Sequence, residues 1–129
     1  MDHTPGFLRA VDAVRPHVRE VDVATMREAL ATGHAVVLDV REDREWARGH
    51  VPGARHIARG VLERDVERAI PDPATPLILY CGGGYRSMLA ADALQRMGYT
   101  DVRSMTGGWR EYVVAGGQVV VPASPLDEP

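Results

Sequence analysis

Two short runs, "AVVLDV" (Ala35 to Val40) and "LILY" (Leu77 to Tyr80), are apolar almost without interruption and too short for ordinary helices. A strand with one wet face alternates apolar and polar residues, whereas one apolar at consecutive positions is covered on both faces. Amphipathic stretches separate these runs from three further strand-like segments, Glu20 to Asp22, Ala54 to Ile57 and Asp101 to Met105. The expected fold class is therefore α/β, a five-stranded, mostly parallel sheet flanked by helices on both faces.

Helices are expected at Val23 to Thr32 before Gly33, near Asp43 to Arg48, at Val61 to Ala69, and at Ser87 to Met97 before Gly98. Glycine after both long helices is a C-terminal stop signal. In the last of them Ala90, Ala93, Leu94 and Met97 form one stripe. The N-terminal segment "TPGFLRAVDAVR" offers Thr4 as cap, Pro5 at the first helical position, and Phe7, Val11 and Val14 on one face, with Pro16 as its stop. "PASPLDEP", from Pro122 onward, reads as a loose tail. The expected organisation is an N-terminal helical extension over residues 1–19, the α/β domain over 20–121 and a flexible tail over 122–129.

The 129 residues suit one domain able to bury a core without staples. Fifteen basic residues, all Arg and dispersed along the chain, against 18 acidic ones argue against nucleic acid as the main partner. No stretch approaches the roughly 20 apolar residues of a membrane span, and no leader pattern opens the chain, so no membrane and a cytoplasmic location are expected. No metal or other cofactor is expected, since His50 and its neighbours lack further ligands at suitable spacing. One cysteine cannot close an internal disulfide, so Cys81 is either a small buried hydrophobe or a working thiol.

Ligands of open parallel sheets gather at the carboxyl ends of the strands. Those ends carry Asp39 and Arg41, Arg59, Cys81 to Arg86, and Thr106 to Trp109. In "CGGGYRS" three glycines let the backbone curl with its N–H groups inward as an anion nest, and the helix that follows adds its own unpaired N–H groups. Helix N-termini and neighbouring cations favour the thiolate of a cysteine, which is the nucleophilic form. An inert core cysteine gains nothing from such surroundings, and a plain strand-to-helix turn needs fewer glycines. The working thiol is the preferred reading.

Three segments in this order, "LDVREDREWARGHVPGA" (Leu38 to Ala54), "CGGGYRS" (Cys81 to Ser87) and "MTGGW" (Met105 to Trp109), resemble the rhodanese-like sulfurtransferases, in single-domain form. The likeness spans about Glu20 to Val121 and leaves the N-terminal helix outside. It implies a six-residue loop starting at Cys81 that cradles a persulfide, with sulfur taken from thiosulfate or a similar anionic donor and removed by an external thiol, cyanide or an acceptor protein. It also implies that N–H groups from Gly82, Gly83, Gly84, Tyr85, Arg86 and Ser87 stabilise the persulfide charge, and that Arg86 orients the donor. Asp39 and Arg41 are expected as supporting residues: between a catalytic role for Asp39 and a hydrogen bond to backbone or a pair with an Arg, the second is preferred, because a buried carboxylate needs a partner. Glu45 and His50 are expected to hold the fold and Trp109 to pack. Arg59 is open between attracting anionic donors and simple solvation.

Two rival functions remain. Some dual-specificity phosphatases and arsenate reductases share this fold type and a Cys–Arg nest, but those phosphatases place five residues between Cys and Arg, against the four of "GGGY" here. A non-enzymatic partner-binding or persulfide-carrier module is the other; inactive modules usually lack the Cys, which is present here.

Overall fold

The computed structural model describes residues 3–123. Five strands, β1 (Arg19–Val21), β2 (Val36–Asp39), β3 (Arg55–His56), β4 (Leu77–Tyr80) and β5 (Val102–Met105), form one parallel sheet in the order β1-β5-β4-β2-β3. Six helices accompany it: α1 (Pro5–Val14), α2 (Val23–Thr32), α3 (Asp43–Arg48), α4 (Leu62–Ala69), α5 (Tyr85–Arg96) and α6 (Gly108–Val114).

The period-two alternation of the central strands divides the core. Leu38, Val40, Leu77, Leu79 and Cys81 face the layer of α1, α4 and α5, where Val11, Leu62, Val66, Met88 and Leu94 meet them. Val37, Ile78 and Tyr80 face the opposite layer, with Met26 of α2 and Tyr112 of α6. Both apolar runs are buried on both sides, which is why they lack alternation.

Asp22 caps α2 by accepting from the Thr25 N–H at 2.8 Å, and Gly33 ends it at φ 74°. Thr4 precedes α1 in extended conformation but makes no side-chain cap bond, and Pro16 lies within a 3-10 turn, Arg15–His17, that follows the helix. Two expectations need correction. The helix after the glycine loop begins at Tyr85 and not at Ser87, so the last loop positions are already its first turn. A sixth helix follows "TGG", where no helix was expected. Of the tail expected from Pro122, residues 124–129 lie outside the described residues.

Candidate active site

Cys81 follows β4 on the face that looks toward α5, so the chain direction brings its sulfur to the open N-terminus of that helix. The side chain is 1% exposed. The N–H groups of Gly84 and Ser87 donate to Sγ at 3.2 and 3.3 Å, and the thiol lies 3.5 Å from the Ser87 Oγ. Ser87 Oγ is in turn 2.7 Å from Ser104 Oγ on β5, both serines being fully buried. Beneath the sulfur there is thus a two-hydroxyl chain able to accept from a thiol or to donate toward a negative sulfur.

Two glycines set this geometry. Gly84 turns at φ 99°, a region that side chains disfavour, and that turn aims its N–H at the sulfur. Gly108 opens α6 against the loop, where any Cβ would overlap the Cys81 carbonyl oxygen. That closeness lets Trp109 N–H and Arg110 N–H donate to the Cys81 and Gly82 carbonyls at 2.7 and 3.0 Å. Those two loop carbonyls are thus engaged by α6. Among the described residues, the N–H groups of Gly82, Gly83, Tyr85 and Arg86 have no protein acceptor.

Arg86 makes a two-pronged pair with Glu45 of α3, Nη1 to Oε1 at 2.7 Å and Nη2 to Oε2 at 3.0 Å. The hydrogen bonds from Arg86 outweigh partial burial and draw the Glu45 carboxyl down from 4.5 to about 2. Glu45 Oε1 also accepts from the Glu42 N–H at 3.1 Å as half of the α3 capping box, so one carboxylate ties a helix start to the loop.

A cleft of about 450 Å³ opens over the loop, with Cys81 at its floor and Gly82, Gly83, Tyr85 and Arg86 in its walls. Gly84 and Ser87 sit under the sulfur. The other expected residues lie elsewhere. Asp39 and Arg41 pair beside the sheet edge, with Asp39 Oδ2 accepting from Arg41 Nη2 at 2.7 Å and the same nitrogen donating to the Gly49 carbonyl. The Arg41 guanidinium stacks 4.5 Å from the Trp109 ring centroid, so Trp109 covers an ion pair. Arg59 bonds Glu63 at 2.6 Å and lines a separate groove between α1 and α5. The structure does not bring it to the Cys81 cleft.

Sequence reasoning missed four contributors: Glu45 as the Arg86 partner, Ser104 under Ser87, Arg110 on the rim, and His3 with Phe7 from the N-terminal segment. Only Glu45 carried a local signal, the capping-box spacing from Glu42. The rest arrive by tertiary packing.

The chain is thus a parallel α/β domain that ends a central strand in a thiol, set in an N–H-lined loop at a helix start. The chain belongs to the rhodanese-like domain family, whose sequence model matches residues 22–115. It is 36% identical over 130 residues to the protein HIGH ARSENIC CONTENT 1, mitochondrial, of Arabidopsis thaliana, covering 89% of this chain and 75% of that one. It is 35% identical over 85 residues to the thiosulfate sulfurtransferase GlpE of Stutzerimonas stutzeri, with 64% and 76% of the two chains covered. Among solved structures, a protein of unknown function from Rhodopseudomonas palustris, described as a possible tyrosine phosphatase, superposes with a TM-score of 0.80 at 29% identity, covering 93% of this chain and 98% of that one. No helix among the described residues is long and apolar enough to cross a membrane.

Proposed function

We propose that this chain is a thiosulfate sulfurtransferase that carries sulfur as a persulfide on Cys81. The observation that carries this reading is the pair of N–H groups, from Gly84 and Ser87, aimed at Sγ from a loop with further unpaired donors. The Cys81 thiolate attacks the outer sulfur of thiosulfate, the S–S bond of the donor breaks, and sulfite departs with the bonding pair. The persulfide's terminal sulfur then carries one negative charge, and the donors of Gly82 to Ser87 hold it. A thiol or cyanide attacks that sulfur, and the Cys81 thiolate is the leaving group. No second cysteine exists in the chain, so the acceptor comes from outside, which suits a reducing, cytoplasmic setting. Asp39 and Arg41 support the strand end, with no contact to the reacting sulfur.

Intact-mass measurement after thiosulfate should show the gain of one sulfur atom, removed by cyanide and absent in Cys81→Ser. Persistence of thiosulfate:cyanide activity in folded Cys81→Ser refutes the reading. A second reading, chemistry on a tetrahedral oxyanion, draws on the names of the arsenic-content relative and the possible phosphatase. Four residues between Cys81 and Arg86 disfavour it, and the unmodified protein should not turn over a phosphate ester or reduce arsenate.

A further inference from the structure

The cleft over Cys81 has a wall that does not come from the family-matched region. His3 and Phe7 lie at and just before α1, upstream of the matched residues 22–115, yet they line the same cleft as the thiol. Their rings cluster with Tyr85 of the loop, the centroids being 5.1 Å apart for His3 and Phe7, 4.7 Å for His3 and Tyr85, and 6.2 Å for Phe7 and Tyr85. Val11 and Val14 anchor α1 in the core, so this aromatic wall is held in place from behind.

Arg44, Arg86 and Arg110 face Glu42 and Glu45, three cations against two carboxylates. Arg86 is taken by Glu45, and Arg44 lies 3.3 Å from Glu42. Arg110 has no carboxylate within 4.0 Å among the described residues and is exposed on the rim. At about 450 Å³ the cleft falls in the range of sites for organic ligands, roughly 300–1,000 Å³, and far exceeds what thiosulfate fills.

We infer that the cleft is an acceptor subsite, in which an organic thiol bearing one carboxylate lays an apolar or aromatic body against Phe7 and Tyr85 and its carboxylate toward Arg110. This rests on the persulfide reading above. The acceptor's thiolate attacks the terminal sulfur of the Cys81 persulfide, a new S–S bond forms on the acceptor, and the Cys81 thiolate leaves with the electron pair of the old one. No oxidant is consumed. α1 thereby sets specificity in the second half-reaction, through groups that do not touch Sγ.

The test uses full-length protein loaded with thiosulfate and freed of excess donor, then discharged by mercaptoethanol, mercaptopropionate or mercaptophenylacetate. Each rate is divided by that thiol's rate with a small-molecule persulfide, which removes intrinsic nucleophilicity. Mercaptophenylacetate should show the lowest KM and mercaptoethanol no saturation. Phe7→Ala should raise KM for mercaptophenylacetate about tenfold relative to mercaptopropionate. Phe7→Leu, which keeps the helix packed and removes only the ring, should do the same. Arg110→Gln should raise KM for both acids about tenfold, with kcat little changed. If sulfur loads on Cys81 but the three normalised rates are equal, or the variants leave the KM values alone, the subsite is overturned and the persulfide reading stands. If no sulfur loads, both fall.

Discussion

Two Arg–carboxylate pairs stand near the carboxyl ends of the central strands, and they differ in what surrounds them. Asp39 and Arg41 expose 0% and 4% of their side chains, whereas Glu45 and Arg86 expose 29% and 34%. In the first, Asp39 also accepts the Arg41 backbone N–H at 2.9 Å, and the guanidinium is locked by the Gly49 carbonyl and the Trp109 face. Both Asp39 carboxylate oxygens accept from Arg41. In the second, the pair forms one edge of a cleft whose floor is the thiol. Similar chemistry therefore stands in two settings: a dry pair joins β2 to the loop before β3, and a half-wet pair borders the cleft over Cys81. An Arg at a strand end is therefore not a ligand group by type. Burial decides.

Breaking the dry pair should have the largest effect. Arg41→Ala leaves the Asp39 carboxylate buried without its cation, and such a break costs about 3–5 kcal/mol. Urea unfolding should show that loss, while Asp39→Leu combined with Arg41→Met should recover most of it. A loss under about 1 kcal/mol in Arg41→Ala alone would erase the distinction between the pairs.

The half-wet pair sharpens the contrast from the other side. Glu45→Gln should lower stability at neutral pH by only about 1 kcal/mol, as partly solvated pairs do, yet free Arg86 to attract thiosulfate and lower its KM about threefold. Because the Glu45 carboxyl is held at about 2 when folded against an ordinary 4.5, its contribution is complete above pH 4.5 and lost as pH falls toward 2. Melting temperature recorded from pH 6 to pH 2 should therefore fall less steeply in Glu45→Gln than in wild type. Equal acid limbs would show that the Arg86 bond does not stabilise the carboxylate.

The smallest effect sets the baseline. Arg19 and Asp101 meet at 3.1 Å with 59% and 31% of their side chains exposed. Arg19→Ala should change stability by at most about 0.5 kcal/mol and leave sulfur transfer unaltered, in the same urea and cyanide assays. A drop comparable to that of Arg41→Ala would mean that exposure is not what ranks these pairs.

Much was legible before folding because it is local. The runs Val36–Asp39 and Leu77–Tyr80 announce strands covered on both faces, and Gly33 marks the end of α2. The strand, cysteine, glycines and arginine in "LILYCGGGYRS" are adjacent in the chain, so the thiol at a strand-to-helix junction follows from sequence alone. The α5 start was harder to read: Gly84 precedes Tyr85 at the helix, yet makes no side-chain cap that a sequence signal could display.

What the tertiary structure decided is which distant groups meet. Arg86 and Glu45 are 41 positions apart, and Ser87 and Ser104 are 17 apart. Parallel crossovers place them together through the order β1-β5-β4-β2-β3. Arg59 had the composition and strand-end position of a ligand group, yet the 3-10 turn after β3 carries it to Glu63 and away from the thiol. The aromatic wall from His3 and Phe7 had no motif at all, because an amphipathic helix specifies that it will pack but not against which surface. Local periodicity and turn chemistry are written in neighbouring residues, whereas a site assembled across a sheet depends on the register and crossings that burial selects for the chain as a whole.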